Sequence, residues 1–435
     1  MTSSKYLTLF QAAQAVLIDN DLGQSTKPAP RLYPHQWNWD SAFIAIGLSH
    51  VDENRAQLEI RSLLRAQWKN GMVPHIVFNA DAGEYHPGPD YWGRTIEEMP
   101  THVRTSGITQ PPILAHAAHR VYLNSRDKNS GLTFLQEIFP ALCHYSIYLL
   151  EQRAVNNDGL SVIYHPWESG MDNASSWDRP LSALELDHEP VFQRHDNSIV
   201  PPSERPSNNQ YRRYSYLVER YAAVDWAANR INEIALFRMQ SILFNSLHLR
   251  SLKSLVEIAK IVDTPLPNSL QGAAESLATA MDSVIWDEGQ LCYCDRNLQD
   301  GTFHGVNNLA QFSPLFAALP TSQRAGQLIQ TLQSQEFWPD DGWGICSESR
   351  NSPSYESRCY WRGPVWVNMN WMIIQGLKAY GYHDLAAKLG AETIQLVQQN
   401  GFYEYFNPET GDGLGSNSFS WTAALVIDLL ASGYG

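Results

Sequence analysis

Apolar residues recur at helical spacing along most of this 435-residue chain, and strand-like alternation is confined to short runs. Residues 52–70 show the pattern: Asp52 is placed to cap a helix, Ala56, Ile60, Leu63, Leu64 and Trp68 share one face, and Gly71 supplies the stop. The same reading predicts helices over 4–19, 39–49, 111–124, 141–154, 211–229, 232–260, 268–283, 305–317, 321–334, 364–380, 383–399 and 418–432. These are about thirteen helices, mostly joined in pairs by short or medium connections. The expected fold class is therefore all-α. Helical hairpins closed into a ring, an (α/α)6 barrel, fit this count, and so does an open solenoid, because helix number does not prove closure.

Between the pairs lie longer segments, 71–110, 157–210, 286–304, 335–363 and 401–417, which hold half of the 14 tryptophans. Loops longer than about 15 residues are usually functional or disordered, and disordered ones are poor in aromatics. These are expected to pack as the mouth of an active site. No Gly/Ser or like-charge linker divides the chain, so residues 1–435 read as one catalytic domain with a cap insertion around 157–210.

Several function classes are disfavoured. Lys and Arg number 31 against 45 Asp and Glu, a net charge of −14, whereas a general phosphate-backbone binder needs a basic footprint. Nucleic acid is not an expected partner. No stretch reaches the ~18 consecutive apolar residues of a membrane span. Lys5, the run Tyr6 to Phe10 and Ala13-Gln14-Ala15 imitate a secretion signal, but the run is too short and the helical pattern continues past it. Cys143, Cys292, Cys294, Cys346 and Cys359 are odd in number, and their one close pair suits neither a zinc knuckle nor a disulfide framework. A reducing, cytoplasmic location is expected. There is no G-x-S-x-G, P-loop or H-E-x-x-H motif. The Gly411–Gly415 turn lacks a βαβ setting, and the 14 histidines lack ligand spacing. Neither a cofactor nor a metal is predicted.

The candidate chemistry is in the aromatic segments. His165-Pro166-Trp167-Glu168-Ser169-Gly170-Met171-Asp172-Asn173, ending in Trp177-Asp178, places three carboxylates beside two indoles. A dry aromatic wall raises a carboxyl pKa into the range of proton transfer, and an indole such as that of Trp167 is a platform for a sugar ring. Glu168 and Asp172 are candidates for function, and Asp178 for capping a helix. Phe402-Tyr403-Glu404-Tyr405-Phe406 embeds one acid among four aromatics, which is costly unless the acid has partners or points outward from an edge strand. Asp40, in Tyr33-Pro34-His35-Gln36-Trp37-Asn38-Trp39-Asp40, and Arg362, in Tyr360-Trp361-Arg362-Gly363-Pro364-Val365-Trp366, could bind sugar hydroxyls or satisfy helix ends.

Together these segments resemble glycoside hydrolase family 63, in particular its compact bacterial mannosylglycerate and glucosylglycerate hydrolases. The resemblance rests on HQWNWDSAF at 35–43, GMVPHIVFN at 71–79, YHPGPDYW at 85–92, HPWESGMDN at 165–173, YWRGPVWVN at 360–368 and FYEYF at 402–406. It implies an (α/α)6 barrel and an inverting α-glycosidase acting on a small-molecule glycoside, with Asp172 as general acid and Glu404 as general base. It also implies a sugar-side wall of Tyr33, Trp39, Asp40, Gln110, Tyr360, Trp361 and Trp366. Arg205, Tyr211 and Tyr85 would hold a substrate carboxylate, and the chain would form a homo-oligomer, a dimer or tetramer. A neutral aglycone such as that of glucosylglycerol would give Arg205 no partner, unless Arg205 is a surface residue paired with Glu204. Two other classes remain open. A sugar epimerase would rely on a histidine pair, for which His35 and His165 are available, and a carbohydrate-binding module would not need both acids.

Overall fold

The computed structural model describes residues 6–434. In chain order the helices begin with α1 (Leu7–Asp19), α2 (Asn38–Leu48), α3 (Glu53–Arg65), α4 (Leu114–Asn124) and α5 (Lys128–Tyr148). They continue with α6 (Asp178–Ser182), α7 (Asn208–Ala222), α8 (Ala228–Ile234), α9 (Ile242–Ile261) and α10 (Ala273–Val284). The last five are α11 (Ser313–Phe316), α12 (Ser322–Leu332), α13 (Val367–Ala379), α14 (His383–Asn400) and α15 (Ser420–Ala431).

Six of these helices close a ring. Helix α2 packs on α4, α4 on α9, α9 on α11, α11 on α13, α13 on α15, and α15 returns to α2. Closure excludes the open solenoid and makes the fold an (α/α)6 barrel. Burial follows from position. Every residue of α2 is buried, and in α15 only Ala431 is not. A helix apolar all round must be covered on all sides, whereas an outer helix needs only a stripe. Outer helix α12 buries Ala325, Leu328, Ile329 and Leu332, the spacing of one face. Helices α1, α3, α5, α10 and α14 likewise pack outside inner helices.

Capping accounts for several helix starts. Asp52 accepts the Arg55 amide at 3.0 Å, as its position predicts. Ser207 and Gln210 form a reciprocal capping box that begins α7. Some boundaries differ from the periodicity reading. The helix expected over 141–154 begins at Lys128, capped by Asp127, and runs through Pro140 to a π-turn over Leu149–Arg153. A proline removes one donor and does not have to end a long, buried helix. The stretch expected over 232–260 is broken between Ile234 and Ile242, and 305–317 keeps only a 3-10 turn and the short α11. The expected start at residue 4 lies outside the described residues.

Four of the five long aromatic segments lead into the N-terminus of an inner helix, α4, α11, α13 or α15, and 157–210 leads into α7, so those four approach one end of the barrel. Short pairings fix them there. Gln36–Trp37 pairs antiparallel with Ile76–Val77, Tyr405–Phe406 pairs with Gly413–Leu414, and Val365 bridges to Phe406. No described helix is long and apolar enough to cross a membrane.

Candidate active site

Two small adjoining cavities open among these segments. Tyr33, Trp37, His75, Asp172 and Tyr360 line both. The inner chamber adds Trp39, Asp40, Gln110, Trp361, Glu404 and Trp421, and the outer adds Tyr85, Trp167, Arg205 and Tyr211. Asp172 and Glu404, 232 positions apart in the sequence, therefore face one inner cavity.

The loop carrying Asp172 is held from below. The Tyr214 hydroxyl donates to the Asp172 carbonyl at 2.7 Å, and the Trp177 indole N–H donates to the Met171 carbonyl at 2.8 Å. Asn173 Oδ1 accepts the Trp361 amide at 2.9 Å, which joins this loop to the segment before α13. Burial raises the Asp172 carboxyl to about 7, against the lowering pull of Arg205. Such a group keeps its proton near neutral pH and can donate it.

Glu404 has a different environment. Tyr33 donates to its Oε1 at 2.8 Å, the Ser416 amide donates to its Oε2 at 3.2 Å, and Arg205 Nη1 lies 3.7 Å from Oε1. Burial raises its pKa, while Arg205 and the Tyr33 hydrogen bond oppose that rise by favouring the carboxylate. Burial raises both carboxyls, and Glu404 differs from Asp172 in having both oxygens accept hydrogen bonds, from Tyr33 and from the Ser416 amide, which suits it to the part of base beside an acid. Asp40, in the first turn of α2, is buried, and its pKa is well above the usual range because of burial and the nearby Glu404 charge. Tyr360 sits at φ +48°, a strained conformation for a side chain of its size.

The outer chamber is cationic. Arg205 is buried, and its guanidinium lies 4.4 Å over the Tyr360 ring. It is not a surface residue paired with Glu204. Glu204 pairs with Arg358 at 2.7 Å and accepts the Gly415 amide at 3.0 Å.

Of the thirteen residues expected to act on the substrate as acid, base, sugar wall or carboxylate holder, twelve line one or both chambers, and Trp366 lines neither. Its ring stacks on Trp361 with centroids 3.7 Å apart and planes 2° apart, so Trp361 faces the cavity and Trp366 backs it. Glu168 also turns away from the chemistry. It is fully buried and receives Arg153 through both oxygens at 2.8 and 2.6 Å, with the Tyr164 amide at 2.8 Å. Asp178 caps no helix with its side chain and pairs with Arg362, which donates at 2.9 Å. Neither Asp178 nor Arg362 lines a chamber. His165 uses both nitrogens structurally: Nε2 donates to the Tyr214 carbonyl at 3.0 Å and Nδ1 accepts the Trp167 amide at 3.1 Å.

Sequence reading missed Trp37, His75, Phe419 and Trp421 in the walls. The first two stand inside motifs already singled out, and the last two repeat the pattern of aromatics at an inner-helix start. Among the described residues no group of three or more His, Cys, Asp or Glu could hold a metal ion.

The model of the mannosylglycerate hydrolase MGH1-like glycoside hydrolase domain matches residues 33–422. The chain belongs to that group of glycoside hydrolase family 63. It is 39% identical to the mannosylglycerate hydrolase of Rubrobacter radiotolerans, covering 98% of this chain and 97% of that one. It is 35% identical to the glucosylglycerate hydrolase of Mycolicibacterium hassiacum, with 96% of each chain covered. The crystal structure of the family 63 mannosylglycerate hydrolase from Thermus thermophilus with Tris and D-glycerate superposes with a TM-score of 0.91 at 37% identity. That match covers 98% of this chain and 100% of the other. As a family 63 member the chain is a glycoside hydrolase, so the epimerase and binding-module readings fall away.

Proposed function

We propose that this family 63 hydrolase is an inverting α-glycosidase that cleaves glucosylglycerate, mannosylglycerate or both to free sugar and D-glycerate. The inner chamber takes the sugar, with Trp39 and Trp361 against its faces and Asp40 and Gln110 on its hydroxyls. Asp172, on the wall shared by the chambers, protonates the glycosidic oxygen. Glu404 removes a proton from a water that attacks the anomeric carbon from the opposite face. Arg205, with Tyr85 and Tyr211, holds the glycerate carboxylate.

The observation that carries this reading is the shared wall. Asp172 borders both the Glu404 chamber and the Arg205 chamber, so a glycosidic oxygen beside it puts a sugar on one side and an anionic aglycone on the other. A buried guanidinium in the aglycone space favours a carboxylate over a neutral group. We place the 157–210 segment as the cap over this site. The five free cysteines, four of them buried, support a cytoplasmic location.

The test is product release from glucosylglycerate, mannosylglycerate and glucosylglycerol assayed side by side. Release of glycerate from either of the first two, with weaker or no turnover of the third, supports the reading. Turnover of glucosylglycerol alone would remove the carboxylate-holding role from Arg205.

A further inference from the structure

The cation of the outer chamber is held in part from outside the chamber's own walls. Arg205 donates Nη1 to the Tyr33 hydroxyl at 2.9 Å and Nε to Asp196 Oδ2 at 3.3 Å. Asp196 is 7% exposed and is shared. Arg194 donates Nε to its Oδ1 at 2.8 Å and Nη2 to its Oδ2 at 2.9 Å. Arg194 is fixed in turn by Asn208 Oδ1 at 2.9 Å and Asn197 Oδ1 at 3.0 Å, and its guanidinium lies 3.8 Å over the Tyr211 ring. Neither Arg194 nor Asp196 lines a chamber.

The distances decide which arginine Asp196 neutralises. A bidentate fork at 2.8 and 2.9 Å ties Asp196 more closely to Arg194 than the single 3.3 Å contact ties it to Arg205, whose other anionic neighbour is Glu404 at 3.7 Å. With Arg194 present, the two arginines offset Asp196 and Glu404 together. Without Arg194 the same buried cluster is net negative, and an entering carboxylate would be repelled in a low-dielectric space. The face of Arg194 on Tyr211 also fixes a second wall residue of the outer chamber.

We propose that Arg194, acting through Asp196 on Arg205, sets the preference of the outer chamber for an anionic over a neutral leaving group. This is a positioning and charge-balancing role, and it rests on the hydrolase reading above. The chemical class selected is a small hydroxycarboxylate aglycone.

The experiment compares wild type, Arg194→Met and Arg194→Lys on glucosylglycerate, mannosylglycerate and glucosylglycerol. Where the neutral glycoside is not turned over, its Ki as a competitor replaces its KM. Calorimetric titration with D-glycerate supplies a binding readout independent of turnover, and thermal melting reports folding. Arg194→Met is expected to raise KM for the glycerate glycosides about 10- to 100-fold. The neutral glycoside's constant should move by less than about threefold, and D-glycerate affinity should fall in parallel with the rise in KM. Arg194→Lys should recover part of the loss, since it restores the charge without the fork. An equal change for charged and neutral ligands, or a loss that follows the melting temperature, would make Arg194 merely structural and overturn the proposal. Normal turnover of glycerate glycosides by both wild type and Arg194→Met would overturn this proposal alone. Failure of the wild type to cleave or bind either glycerate compound would overturn the functional reading and this proposal with it.

Discussion

Arg205 and Glu404 meet across the two chambers, with Nη1 3.7 Å from Oε1 and the Tyr33 hydroxyl hydrogen-bonded to both. The residue proposed to hold the aglycone therefore also acts on the proposed general base. Arg205 favours the charged form of Glu404 against the raising effect of burial. Removing it raises the pKa of the base. The acid limb of kcat/KM, which rises as Glu404 loses its proton, should then move to higher pH in Arg205→Met. A pH–rate profile checks this, and an unmoved limb would separate the two residues functionally.

Asp172 should govern the opposite limb. Its carboxyl is raised by burial from 3.8 to about 7, so activity should fall as pH climbs past about 7 and the acid loses its proton. Asp172→Asn should lower kcat about 10²–10⁴-fold and abolish that limb. The same shift carries a stability signature. A group whose folded pKa lies above its unfolded value contributes stability below the unfolded pKa and loses it as pH rises through the folded one. Asp172→Asn should therefore be more stabilising, relative to wild type, at pH 8 than at pH 4. Melting curves at the two pH values test the sign.

Glu168 and Arg153 form a buried ion pair that carries the loop of Asp172. Removing one partner leaves an uncompensated charge, so Arg153→Met should cost about 3–5 kcal/mol of stability. Arg153→Met combined with Glu168→Leu should recover a substantial part of that loss in a chemical denaturation series. If Glu168 took part in proton transfer, Glu168→Gln would abolish turnover while leaving stability intact, the reverse of this expectation.

Much of the site was readable in advance because its residues come in dense motifs, and the exceptions have physical causes. The motif around 360–366 carries Trp361 and Trp366, and only the closed barrel determines that the first faces the cavity and the second stacks behind it. Composition cannot separate Glu168 from Asp172. The partner that neutralises Glu168 is Arg153, which lies 15 positions earlier at the end of a π-turn. Asp178 reads as a helix cap and Arg362 as a sugar ligand or helix-end partner, and only the fold pairs these two residues, 184 positions apart, with each other. Ring closure likewise depends on α15 returning to α2, a contact that no local pattern encodes.

Gly415 gives a prediction from a turn that showed no chemistry in the sequence. It sits at φ +67°, and a Cβ there would lie 2.5 Å from both Glu404 Oε2 and Tyr405 Cε1. Gly415→Ala should displace the base carboxylate and lower kcat by about tenfold or more, although residue 415 lines neither chamber. Steady-state kinetics check this, with melting temperature as the control for a backbone effect.

The most direct test of the mechanism is the anomeric form of the first sugar released, followed by proton NMR before mutarotation. The substrate is α-glucosylglycerate or α-mannosylglycerate, with Asp172→Ala and Glu404→Ala as controls. The proposed acid–base pair predicts the β-anomer together with D-glycerate, and loss of both products in each variant. An α-anomer as the first product, or undiminished turnover in either variant, would contradict inversion by Asp172 and Glu404.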